Sequence, residues 1–535
     1  MINILSYVVL AAFVIRTIRN TLYHIFLWQN NEYRLDMLRV YLKTSVGKRI
    51  VFGPMAKIKF ILLALFIFAL IGELNIIASL AIWSFGALFI IEAWRNLKEI
   101  VTSSLPFPKF TVKVVLIILI TLLFQFVLIL SSSPRFALDL MPFMDKLLAV
   151  FVALQIGLLS IPSRIRDALL EHVAMERMVR LKGIRAVGIT GSYGKSTAKE
   201  FLYQLVKDEF NVVKTSKNIN KPVGIAKLIL QEVSNKTEIL IVEAAADKHH
   251  GQNQVTRITN MLADKLSVAV ITGVNQQHLA LFKSKNEIAL VKYSLVTGLN
   301  DEGVAVFNVN SGSMRELVKK ANKDGVKTIL CGIDKRLSAY GDKIMLSSSD
   351  SKFELVIGKN RATLNTNLLG LANVVGIVVA ATVASELGVS WNKIKSKIQK
   401  LTPPLNSLKV VKKGSLVLID DTYTANPDGV IVALDFLSLY SETKILVLNP
   451  LAELGKDSIL VHKNIAKHAA KICDAIILTN SNSYEVVKKA VKKDVVVVVK
   501  NKNQVKDYIK NNFKGKKAIL FEGREAAGAL RTYKG

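Results

Sequence analysis

The residues best suited to do chemistry stand together in Gly191-Ser192-Tyr193-Gly194-Lys195-Ser196-Thr197, between a short apolar run and a helix-like stretch reaching about residue 208. The general phosphate-loop pattern asks for a glycine five positions before Gly194, and Ile189 occupies that place. Gly191-x-x-Gly194-Lys195-Ser196 remains, with strand-like and helix-like flanks in the right order. Backbone N–H groups at such a helix start can hold phosphate oxygens, Lys195 can bridge the outer phosphates, and the Ser196 hydroxyl can ligate magnesium. Gly191, Ser192, Gly194, Lys195, Ser196 and Thr197 are therefore the expected nucleotide contacts. A glycine-rich turn that only caps a helix is the alternative. Glu243 ends the next apolar run, where carboxylates of open α/β sheets meet ligands, and is a candidate for the same metal or a solvated strand-end acid. His278 falls in a later strand-end loop and Lys292 in the helix after it; taken singly, such residues are usually structural or solvent-facing.

Alternating elements must position these groups. Strand-like runs at 184–190, 211–215, 238–244 and 268–274, and again at 416–421, 444–450, 475–480, 495–500 and 518–523, are separated by helical patterns. This rhythm predicts βαβ wiring with parallel sheets, in two α/β domains joined near Leu401-Thr402-Pro403-Pro404.

The first part of the chain is different. Apolar runs near 2–28, 57–73, 75–94, 113–131 and 145–161 are each close to the length that crosses a bilayer, and they continue too far for a signal peptide. Lys and Arg are concentrated in 32–59 and 95–113, whereas Gly72–Asn75 and Ser131–Asp145 are poor in them, which orients the spans with residue 162 onward in the cytoplasm. Three or four spans with an interfacial first helix is the alternative. The expected divisions are a transmembrane helical region over 1–161, a linker helix over 162–183, a central ATP-binding domain over 184–400 and a C-terminal domain over 401–535. The expected location is the cell membrane, multi-pass, with the α/β domains cytoplasmic.

Seventy-two Lys and Arg against 41 Asp and Glu give a formal net charge of +31. The basic residues are scattered without an aromatic-interleaved stripe, so an anionic membrane surface or anionic metabolites are the expected partners, and nucleic acid is not. Cys331 and Cys473 are the only cysteines and suggest neither a disulfide framework nor a metal site.

The series "GITGSYGKST", "NINKPVG", "VEAAA", "HLALF…LVK", "IDDTYTANPDG" and "LAELG…H" resembles the Mur ligase family over about residues 184–535. The "DDTYTANPDG" and "AELGKDSILVH" stretches are most similar to its branch that adds D-alanyl-D-alanine to a cell-wall precursor, the MurF-like ligases. The resemblance implies a P-loop central domain, a Rossmann-like C-terminal domain, ATP and Mg2+ as cofactors, and amide formation through an acyl phosphate. It assigns Lys195, His278 and Lys292 to catalysis, and Ser196, Glu243, His278 and Lys292 to metal, with Lys292 a candidate for carbamylation. Asn218, Asn373, Asp421, Tyr423 and Asn426 are matched to nucleotide contacts. The implied partners are a carboxylate-bearing envelope precursor, an amino-acid or dipeptide amine, and the lipid bilayer.

Several positions depart from the family pattern. Gly370-Leu371-Ala372-Asn373 lacks a histidine, Gly376 replaces an asparagine, no arginine stands at Asn406-Ser407, Thr424 replaces an asparagine, and Glu522-Gly523-Arg524 replaces lysine-glycine-serine. Membrane spans also take the place of a uridine-nucleotide-binding domain. The expected function is a membrane-anchored, ATP-dependent acid–amino-acid ligase of peptidoglycan precursor synthesis. A poly-γ-glutamate-type synthase and a non-catalytic nucleotide-binding scaffold are the alternatives.

Overall fold

The computed structural model describes residues 2–101, 106–216, 219–249, 252–275, 279, 281–282, 284–310, 314–404, 407–423, 425–452, 454–491, 495–499 and 501–534. The chain divides into two compact units, Met1–Ala168 and Leu169–Gly535.

Five helices in the described residues are long and apolar enough to cross a membrane. Four of them run over Ile2–Asn30, Pro54–Ile71, Asn75–Val101 and Val112–Leu130. The fifth, Pro134–Leu158, begins well before the expected 145 and takes in most of the segment read as an outer connection. Asp139, Pro142 and Asp145 interrupt its hydropathy, yet Ser133 caps it, Pro134 sits in its first turn where no N–H is needed, and Asp145 pairs with Arg16 from the first helix. The unit is apolar outside and partly polar inside. Ile71, Ile76 and Leu130 are exposed, while Thr121, Gln125 and Gln155 are buried, with the Gln155 amide donating to Thr121 Oγ1 at 2.8 Å. That inversion suits a hydrocarbon surround, where an unpaired polar group on the outer face is costly.

The second unit holds two sheets. The larger has nine strands in the order 360–366, 351–357, 339–346, 327–332, 304–308, 266–271, 185–190, 239–244 and 212–214. Its central strands are parallel and mainly apolar on both faces, as the helical layers on either side require. The sequence rhythm missed Val304–Asn308, Lys327–Gly332 and the antiparallel set Ala339–Leu346, Ser351–Ile357 and Asn360–Thr366, so the sheet is mixed rather than parallel throughout. The edge strands alternate polar and apolar residues because one face meets solvent. The second sheet has six strands in the order 409–413, 416–421, 517–522, 443–448, 475–478 and 496–498, parallel except for Lys409–Lys413 at the edge.

Candidate active site

The strand Arg185–Thr190 carries the chain into the glycine loop and the helix Lys195–Val206 carries it out. Gly194 caps that helix at φ +72°, a left-handed conformation that costs glycine little. At Gly191 a side chain has no room, since an added Cβ would lie 2.0 Å from Thr272 Oγ1. The segment after the strand Leu266–Ile271 forms the other wall. Ser192 N donates to Gly273 O at 2.8 Å, Asn275 N donates to Ser192 Oγ at 3.0 Å, and the Thr272 hydroxyl donates to Tyr193 O. The loop is thus fixed by the neighbouring strand end rather than by its own glycines alone.

Ser196 and Glu243 meet as the spacing predicts. Glu243 pairs in register with Ile189 on the adjacent strand, and its carboxylate accepts from Ser196 Oγ at 2.9 Å and from Lys199 Nζ at 3.1 Å. A buried carboxylate beside a serine hydroxyl is a donor set that fits Mg2+, which keeps most of its shell for phosphate and water oxygens. Lys199 escaped the sequence reading because a helical lysine is ordinarily solvated; here it is 1 % exposed. Lys195 Nζ donates to Gly191 O at 2.7 Å. Loss of water lowers its pKa, and Glu243 acts in the opposite direction.

Lys292 lies on the helix Lys285–Tyr293, 2 % exposed. Burial pushes its ammonium down to about 7, and the nearby Lys195 charge acts in the same sense. His278 and Asn218 lie outside the described residues, as does Thr424.

Three of the other expected nucleotide contacts, Asn373, Asp421 and Asn426, line a cavity of about 470 Å³ that reaches from the glycine loop to the C-terminal domain. Tyr193, Gly194 and Thr197 line it together with Asn373, Asp421 and Asn426. Its volume falls in the range of small-molecule sites. Asn373, in the first turn of the helix Leu371–Glu386, donates through Nδ2 to Leu369 O at 2.8 Å. The Gly376 departure has a steric reason: a Cβ there would stand 2.8 Å from Thr197 Cγ2 where the two helices touch. Asn426 caps the helix Pro427–Leu437, its Oδ1 accepting from Gly429 N at 3.1 Å. The same oxygen accepts from Asn275 Nδ2 at 3.1 Å, and that amide also donates to Asp428 at 3.0 Å. Asn275 and Asp428, absent from the expected set, therefore tie the glycine-loop domain to the C-terminal domain. Asp428 had a signal, since it follows the matched Asn426-Pro427 directly. Tyr423 is exposed and is not among the residues lining the cavity.

Asp421 and Glu522 end neighbouring strands in register. Glu522 is wholly buried, and no hydrogen-bond donor among the described residues reaches its carboxyl oxygens. Burial raises Glu522 well above the carboxylate range, with Asp421 adding to it, and burial pushes Asp421 up to about 6. His462, from the "AELG…H" stretch, is a structural residue: Nε2 accepts from Leu451 N at 3.0 Å and Nδ1 faces Ser458 O at 2.8 Å, so the neutral ring fixes the loop before it.

Residues 189–384 match the Mur ligase middle domain, and residues 408–524 match the Mur ligase glutamate ligase domain. A UDP-N-acetylmuramoyl-tripeptide-D-alanyl-D-alanine ligase of Buchnera aphidicola subsp. Baizongia pistaciae is 30% identical over 280 residues, covering 52% of this chain and 59% of the relative. The enzyme of the same name from Haemophilus influenzae is 26% identical over 313 residues, covering 57% of this chain and 66% of the relative. The chain thus spans about three fifths to two thirds of these relatives. In fold, the chain is similar to MurF from Acinetobacter baumannii, with a TM-score of 0.63 at 20% identity over 69% of this chain and 80% of that one. MurF from Thermotoga maritima in complex with ADP gives 0.61 at 20% identity, over 69% and 83%.

Proposed function

We propose that this chain, which belongs to the Mur ligase family, is a membrane-anchored, ATP-dependent amide ligase of MurF-like type, acting on a carboxylate-bearing peptidoglycan precursor. The observation that carries the reading is a glycine loop bearing Lys195 and Ser196, with Ser196 bonded to Glu243, whose Gly194 and Thr197 line a cavity together with Asn373 and Asn426. The relatives named above join D-alanyl-D-alanine to a muramoyl tripeptide, and the same class of amine is proposed here.

A substrate carboxylate is a poor electrophile. Its oxygen would form a bond to the γ-phosphorus of ATP as the bond to the β-bridging oxygen breaks, giving an acyl phosphate and ADP. The amine would then attack the acyl carbon, phosphate would leave, and the amine would lose a proton as the amide forms. Lys195 would offset charge on the transferring phosphoryl group, and the loop N–H groups would hold its neighbours in line. Ser196 and Glu243 would hold Mg2+, which supplies further charge stabilisation when bound. Lys292, whose ammonium burial pushes down to about 7, is suited in its deprotonated form to add its amine to carbon dioxide: an N–C bond forms, a proton leaves, and an anionic carbamate would replace the amine. The roles of His278, Asn218 and Tyr423 remain part of the proposal on family resemblance. The five apolar helices support membrane anchoring, with the basic connections and the ligase domains on the cytoplasmic side.

The test uses full-length protein in lipid nanodiscs with ATP, a UDP-linked or lipid-linked muramoyl tripeptide, and D-alanyl-D-alanine or glutamate. The expected result is ADP release that needs both acceptor and amine, with a product heavier by one dipeptide. A glutamate ladder, or ADP release indifferent to acceptor and amine, overturns the reading.

A further inference from the structure

The first unit concentrates charge where membrane helices ordinarily exclude it. Arg16, Lys59, Glu92 and Asp145 come from four of the apolar helices and interlock. Arg16 pairs with Glu92 and Asp145, and Lys59 pairs with Glu92 and lies 3.8 Å from Asp145. Their side chains are between 2 and 18 % exposed. Such groups are expensive in a bilayer and face an interior or a wet cavity when they occur.

A cavity of about 810 Å³ opens beside this cluster. Arg19 lines it and bonds Glu99 at 3.1 Å. Arg95 and Lys146 also line it, and neither has an ion-pair partner among the described residues. The lining holds five Lys or Arg side chains against three acids, leaving two positive charges in excess. A cluster serving only to join helices needs no such surplus. On two of its helices the cavity lies toward one end, whereas Arg16 and Lys146 stand near the middle of theirs. Lys59 is five residues, roughly 8 Å, from the start of its helix at Pro54, and Asn96 is as far from the end of its own at Val101. By the positive-inside rule these ends face the cytoplasm, where ATP is available. Phe60 lines the cavity yet is 52 % exposed on the apolar flank, with Lys146 Nζ 4.0 Å from its ring centroid. One opening thus presents cationic and amide groups beside a lipid-facing aromatic surface.

We infer that this cavity receives the phosphate or diphosphate headgroup of a lipid-borne substrate, with Arg95 and Lys146 as its unneutralised cations and the apolar chain left in the bilayer. The inference rests on the membrane-anchored reading above and deepens it: the first unit would present the acceptor that a uridine-nucleotide-binding domain would otherwise hold.

The test measures binding of a long-chain isoprenyl diphosphate to full-length protein in nanodiscs by native mass spectrometry. The uncharged isoprenol of equal length and inorganic diphosphate are the comparison arms, and ADP binding is followed in parallel. The expected result is at least tenfold preference for the isoprenyl diphosphate over the isoprenol, weak competition by inorganic diphosphate, and about tenfold loss in Arg95→Gln/Lys146→Gln with ADP binding unchanged. Both positions lie outside the interlocked ion pairs, so the variant retains them. Equal binding of isoprenol and diphosphate overturns the inference, as does tight binding of inorganic diphosphate alone, which assigns the site to a soluble anion. Loss of acceptor-dependent ADP release in wild type, with lipid binding intact, would count against the ligase reading instead.

Discussion

The two units bury charge in opposite ways. In the first, Arg16, Lys59, Glu92 and Asp145 alternate in sign, so each neutralises its neighbours and the cluster ties four helices together. In the second, beside the buried Lys199–Glu243 pair, like also stands near like: Lys195 acts on Lys292 among the basic groups, and Asp421 on Glu522 among the acids. Opposite charges interlocked away from water hold structure, because removing one strands the others. Like charges brought together are held at a cost the remaining fold must offset, which is the usual condition of a site built to bind charge or to move protons.

Breaking the first arrangement should have the largest effect. Glu92→Ala leaves Arg16 and Lys59 competing for Asp145, and the first unit should lose about 3–5 kcal/mol. Thermal unfolding in nanodiscs checks this, and Lys59→Met/Glu92→Met should lose less than Glu92→Ala because no lysine is then stranded. Equal losses in the two variants would mean that the cluster contributes no specific pairing. Lys195→Ala breaks the second arrangement at its functional centre. Removing a cation from a phosphoryl-transfer site should reduce substrate-dependent ADP release roughly 100- to 1,000-fold. The same variant removes a neighbouring positive charge, so Lys292 should titrate higher, which amine-selective labelling against pH would detect.

How far these arrangements were legible follows from the distance between their parts. The glycine loop, Ser196 and Glu243 were readable because each sits at the end of a continuous apolar strand, and parallel wiring brings such ends together. The long apolar helices were readable as apolar runs, but the fifth was shortened because Asp139 and Asp145 look like loop residues until Arg16 is seen opposite Asp145. The strands from 304 to 366 were missed because the outer ones alternate with solvent and carry no long apolar run. Asn275 with Asn426 joins residues 151 positions apart, and only the closed tertiary arrangement reveals it. Glu522 was legible as a departure from a family lysine, whereas its facing of Asp421 depends on strand register.

The acidic pair makes a pH prediction with a definite sign. Asp421 titrates near 6 in the fold against about 3.9 in an unfolded chain, and Glu522 is also raised. Raised carboxyl pKa values mean that the folded protein binds more protons. The stability they contribute is fully present below about pH 4 and is lost as pH rises through 6. For Asp421 alone the loss would be about 3 kcal/mol from its displacement. Glu522→Gln should flatten this dependence and raise the melting temperature of the second unit at pH 8 relative to wild type. Unchanged slopes between pH 4.5 and 8 would show that Glu522 does not contribute to this dependence.

The smallest expected effect separates binding from stability at the joint between the two α/β domains. Asn426 Oδ1 does two things: it caps the helix at Gly429 N, and it accepts from Asn275 of the glycine-loop domain. Asn426→Ala removes both and should cost about 1 kcal/mol through the cap. Asn426→Ser restores the cap, because serine is among the preferred residues there, but its hydroxyl is too short to maintain the bond to Asn275. The serine variant should therefore recover the melting temperature while the KM for ATP stays several-fold raised. Asn275 keeps Asp428 at 3.0 Å in both variants, which limits the loss and leaves the acid to hold the joint. If serine restores KM along with stability, Asn426 acts only through its helix, and alignment of the cavity walls falls to Asp428.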